Sequence, residues 1–84
     1  MTERPSILHQ IAELRREAML REKTYPRLVA KHEMRQAEAD YQLEGIWAAV
    51  ATLEWCARNA DLIRRVADEI RAEAADQTGE LGVP

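Results

Sequence analysis

Residues 15–40 read RREAMLREKTYPRLVAKHEMRQAEAD, and two helical patterns meet inside them. Upstream, apolar residues recur at Ile7, Ile11, Leu14, Ala18, Tyr25 and Leu28, in alternating steps of three and four with one lapse at Arg21. Leu8 and Val29 widen the stripe, and such spacing defines one core-facing side of an α-helix. Downstream, Ala39, Leu43, Ile46, Val50, Leu53 and Ala57 repeat the alternation. Lys31-His32-Glu33-Met34 is left as the connection. No period-two alternation supports a strand. The chain therefore reads as all-α, an antiparallel helical hairpin.

The ends of the elements follow from local chemistry. Pro5-Ser6 opens the first helix, since the Ser6 hydroxyl can accept from the amides that follow. Pro26 removes one helical hydrogen bond and crowds the carbonyl at Glu22. The expectation is a kink near 22–26, or a restart capped by Thr24 or Tyr25, with a full break into two helices as the runner-up. Gly45 weakens the second helix by about 1 kcal/mol relative to Ala and admits a close-lying backbone. Near Asn59 the seam shifts to Cys56, Ala60, Ile63, Val66, Ala67, Ile70 and Ala74. A continuous long helix is the first reading. The alternative is a break at Asn59 that makes a three-helix bundle. Residues 1–76 then form one helical domain, and 77–84, with two glycines and a terminal proline, a flexible tail.

Antiparallel pairing leaves the last part of the long arm, with Ile63, Val66 and Ile70, without an intramolecular partner. A second copy, a fold-back after Asn59 or a foreign protein would each cover it. The 84 residues lie near the size at which a lone core is adequate, and there is no Phe. A homo-oligomer, most simply a dimer, is expected.

The net charge of −3 argues against a general grip on DNA or anionic membrane. Charge is unevenly placed: residues 1–35 hold eight Lys/Arg against five acids, and 36–84 hold four against ten. Arg16, Lys23, Arg27, Lys31 and Arg35 form a basic stripe that suits phosphates, pairs with Glu38 and Asp40 across the turn, or faces water. Glu38, Asp40 and Glu44 sit where a helix N-terminus favours negative charge.

Chemistry is sparse. Cys56 is the single cysteine and reads as a buried, inert thiol. With His9 and His32 as its only companions it cannot build a zinc site. No catalytic, cofactor-binding or metal-binding constellation is recognisable, so the expectation is a non-enzyme without a cofactor. No membrane span or signal peptide is seen, which points to the cytoplasm. Trp47 and Trp55 stand about 80° apart around the helix and suit either burial or anchoring of a partner. Tyr25, Arg27, Lys31 and Arg35 complete the partner-binding candidates.

Tyr25-Pro26-Arg27-Leu28-Val29 followed by Met34-Arg35-Gln36-Ala37-Glu38-Ala39-Asp40 resembles a group of small bacteriophage and prophage proteins. Their pattern is a basic run, Tyr-Pro, an aromatic or aliphatic residue and Val, a small turn, then Met-(Ser/Thr)-Gln-Ala-x-Ala-Asp. The match covers about 50 residues. It implies phage origin, a bacterial host cell and a helical shape, and it carries over no active site. His32 replaces the usual turn glycine and is expected in a left-handed conformation. Arg35 replaces a capping Ser/Thr, so the second helix should begin less sharply. The functional expectation is a phage interaction protein that binds and inhibits or redirects a host protein assembly, as in anti-defence action against a CRISPR effector, or a phage one. The alternative is a nucleic-acid-binding accessory protein using the Arg16–Arg35 stripe.

Overall fold

The computed structural model describes residues 4–81, with side-chain surroundings given for 4–76. Three helices follow one another, α1 (Ile7–Ala30), α2 (Gln36–Arg58) and α3 (Ala60–Leu81), and the described residues hold no strand. Ser6 caps α1 as its side chain predicts, accepting from the His9 amide at 3.1 Å. The helix runs through Pro26 unbroken, so a division into two helices does not occur. Just ahead of the proline, the Thr24 hydroxyl donates to the Leu20 carbonyl at 2.8 Å, a back-bond that accompanies helix bending.

The turn closes on His32, whose φ is 62°, the left-handed value expected from the missing glycine. The His32 amide donates to the Val29 carbonyl at 3.0 Å and the Glu33 amide to Leu28 at 2.9 Å. This pair of bonds is a Schellman cap, which satisfies carbonyls that the helix end leaves free. Arg35 begins α2 with extended backbone and no side-chain cap bond.

Helices α1 and α2 pair antiparallel around Ile11, Ala18 and Tyr25 on one side and Ala39, Ile46 and Val50 on the other. Three polar contacts set the register. The Tyr25 hydroxyl donates to Gln42 at 2.7 Å, the Trp47 indole to Glu22 at 2.8 Å, and Arg15 pairs with Glu54. Arg21, the lapse in the α1 stripe, is not unsatisfied: it reaches back to Glu17 at 2.9 Å. That bond raises the pKa of its guanidinium, with smaller help from Tyr25, while burial opposes the rise.

At Asn59 the chain is nicked rather than folded back. The Asn59 amide still donates to Trp55 and Cys56, and Ile63 donates to the Asn59 carbonyl at 2.9 Å, but the amides of 60–62 make no bond across the junction. Helix α3 touches α2 only at the joint and makes no contact with α1. The three-helix bundle is thus not formed. Gln36–Leu81 laid end to end at 1.5 Å per residue comes to about 69 Å, and the long dimension of the molecule is 69 Å. The long arm is close to straight. The expected tail is helical as far as Leu81, and 82–84 lie outside the described residues.

Candidate interaction surfaces

The α2–α3 arm carries a second stripe. Tyr41, Gly45, Ala48, Thr52, Trp55, Asn59, Leu62 and Val66 succeed one another in steps of four and three, and Ile63 and Ile70 flank the line. Thr52 and Asn59 are its two polar members, and the rest is apolar or small. At about 100° per residue this stripe lies roughly 160° around the helix from the side that packs on α1. Both faces of α2 are therefore largely apolar, and α1 covers one of them. Trp55 keeps 52% of its surface exposed, Leu62 49%, Val66 43% and Ile70 60%. Nothing lies within 4 Å of the point where a Cβ would sit on Gly45. Beside that glycine an open hollow of about 650 Å³ is bordered by Leu14, Arg21, Tyr41, Gly45 and Ala48.

The tryptophans divide. Trp47 is half-buried and bonded to Glu22 of α1, whereas Trp55 projects outward. Tyr25 is corrected: it is a core residue, 9% exposed with its hydroxyl on Gln42, and presents no free ring to a partner. Its place in the α1 heptad decided this, since the step from Ala18 to Tyr25 is a full heptad. Cys56 is also corrected: it is half-buried, free, and beside the exposed stripe.

Arg16, Lys23 and Arg27 occupy the side of α1 turned away from α2, with Lys31 and Arg35 at the turn, and all are exposed. Arg16 pairs with Glu13 at 3.1 Å. Lys23, Arg27, Lys31 and Arg35 make no ion pair among the described residues, so pairing with Glu38 and Asp40 across the turn does not occur. Instead, Gln36 donates to Asp40 at 2.9 Å. His9 and His32 are both on the surface. Among the described residues no group of three His, Cys, Asp or Glu side chains is placed to hold a metal. No helix there is long and apolar enough to cross a membrane. Val29, His32, Met34 and Arg35 border a second open hollow, of about 480 Å³, at the turn.

The sequence marks Ile63, Val66 and Ile70 as needing cover, but the continuation of their stripe back through Trp55, Gly45 and Tyr41 emerges only with the structure. Its signal is the step pattern on the side opposite the core, blurred by the polar Thr52 and Asn59. Compared with family models, curated proteins and solved structures, the chain matches none.

Proposed function

We propose that this chain is a non-enzymatic interaction protein, whose working parts are helix faces rather than an enclosed site. The observation that carries the reading is the uncovered apolar side of α2–α3, with Trp55, Leu62, Val66 and Ile70 facing solvent. A run of exposed apolar side chains along one face of a small chain marks an association site, and Trp dominates interface energetics. The resemblance to phage and prophage proteins supports a host or phage protein assembly in the bacterial cytoplasm as the target, with inhibition or redirection as the outcome. A tagged pull-down from bacterial lysate treated with nuclease tests it. A stoichiometric protein partner retained by the wild-type chain supports the proposal. Recovery that disappears with nuclease counts against it.

One observation favours a second reading, a nucleic-acid accessory protein. Lys23, Arg27, Lys31 and Arg35 are exposed cations without carboxylate partners among the described residues, and they share a limited surface with Arg16. Affinity for single- or double-stranded nucleic acid should then fall by at least tenfold between about 50 and 200 mM salt, because phosphate contacts release counterions. Binding that ignores salt removes this reading.

A further inference from the structure

We propose that the chain forms a two-fold antiparallel dimer, in which α3 of each copy lies along α2 of the other with Trp55 next to the axis. The proposal rests on the reading of the α2–α3 side as a docking face and names its occupant. Two observations select a second copy in this orientation.

The first is side-chain size and polarity. The α2 half of the stripe is small at Gly45, Ala48 and Thr52, and the α3 half is large at Leu62, Ile63, Val66 and Ile70. The stripe runs from Tyr41 to Ile70, and its midpoint falls at Trp55 and Cys56. Pairing about that midpoint sets Ala48 against the partner's Ile63, Gly45 against the partner's Val66, and Tyr41 against the partner's Ile70. At Gly45 and Ala48 small residues of α2 then meet large ones of α3, while Tyr41 and Ile70, both large, close the two ends of the contact. The same register sets Thr52 against the partner's Asn59, so the two polar members of the stripe meet each other. The Asn59 amide nitrogen is already used on the Trp55 carbonyl at 2.8 Å, which leaves its side-chain oxygen to accept from the Thr52 hydroxyl. A parallel pair would set small on small in α2 and large on large in α3, so the axes would have to diverge.

The second is the open space. The hollow beside Gly45, bordered by Leu14, Tyr41 and Ala48, lies where the partner's α3 residues arrive. A glycine there, costing helix propensity with nothing near it in the single chain, has a packing reason in the dimer.

Charge is neutral toward the pairing. In an antiparallel pair the same flank of each helix meets itself. Glu44 and Arg65 share one flank, so each Glu44 lies by the partner's Arg65, twice by symmetry. Asp40 and Glu69 meet on the same flank, likewise twice, so the like-charged pairs offset the opposite ones. Leu14 and Arg21 of α1 border the same hollow, so α1 forms its far wall and the partner's α3 seats between that wall and the α2 stripe.

The test uses the purified full chain. Light scattering at about 100 μM should give twice the mass of one chain. Gly45→Leu is the decisive variant. The open space around Gly45 lets a single chain accept it with a gain in helix stability, yet in the dimer it fills the seat of the partner's Val66. The expected result is a monomer of unchanged helicity, with dimer affinity down by more than tenfold. Orientation is read in the Cys56→Ser background by mixing the Glu44→Cys chain with the Arg65→Cys chain and oxidising. Cross-linking of the mixture, with neither chain linking to itself, is expected. A monomeric wild type, a Gly45→Leu chain that remains dimeric, or a Glu44→Cys chain linked to its own copy would each overturn the dimer. A monomer that still retains a protein from nuclease-treated lysate overturns the dimer alone, and leaves the docking reading intact.

Discussion

The indole of Trp47 donates to the Glu22 carboxylate of α1 at 2.8 Å. Trp55, eight positions further along the same arm, faces solvent. The two tryptophans should accordingly respond in opposite ways to substitution. Trp47→Ala removes half-buried ring and a cross-helix bond, and should cost about 2 kcal/mol in chemical denaturation. Trp55→Ala should change the stability of the isolated chain by less than about 0.5 kcal/mol. In the Gly45→Leu background, where the chain is expected to be single, acrylamide should quench Trp55 strongly and Trp47 weakly, each read in the variant that carries the other as Phe.

Tyr25 binds the hairpin through its hydroxyl as well as its ring. Tyr25→Phe keeps the packing and leaves Gln42, which is half-covered, without its donor. A loss of about 1 kcal/mol is expected, measured by urea unfolding. A full loss of cooperativity would show that the hydroxyl does more than join two helices.

Ala18 is fully enclosed, and the hairpin register brings Val50 of α2 opposite it. There is no space for a larger side chain without moving the helices apart. Ala18→Leu should destabilise by about 2 kcal/mol or more through overpacking, seen as a lower thermal midpoint. A stabilised variant would place a void in the core.

The turn should be improvable at two positions. His32 holds φ at 62°, a region that Gly occupies without steric cost. His32→Gly should therefore add about 0.5–1 kcal/mol despite the greater freedom of the unfolded chain. Arg35 supplies no cap to α2, so Arg35→Ser should add about 1 kcal/mol by accepting from a free amide. Thermal unfolding of the two variants and their combination should show near-additive gains. A loss in either would mean that the side chain removed has a contact of its own.

The Glu17 bond holds the Arg21 charge more firmly than in a free side chain. A raised arginine pKa contributes stability that is complete below its unfolded value and lost only as pH rises past the folded one. That window lies in strong alkali, so Arg21 should give the hairpin no pH dependence between about pH 5 and 9. A transition there that Arg21→Met abolishes would contradict this.

Much of this was legible in residue order. The steps from Ile7 to Leu28 and from Ala39 to Ala57 placed both faces of the hairpin, because a helix repeats every 3.6 residues and buried positions must follow that period. Ser6 announced its cap, and His32 its backbone, because both depend on neighbours a few residues away. What stayed ambiguous was every choice between two chemically acceptable environments. Tyr25, Trp47 and Trp55 are equally suited to a core or an interface. Only the antiparallel register, set by Tyr25–Gln42, Glu22–Trp47 and Arg15–Glu54, assigned the first to the core, the second to its edge and the third to solvent. Asn59 could likewise have turned the chain back or let it run on. The tertiary structure decided for a straight arm, because the helical bonds resume within one turn and carry α3 on past the N-terminal end of α1 without contact. Local sequence determines which faces are apolar, while which face is covered depends on where distant segments come to lie.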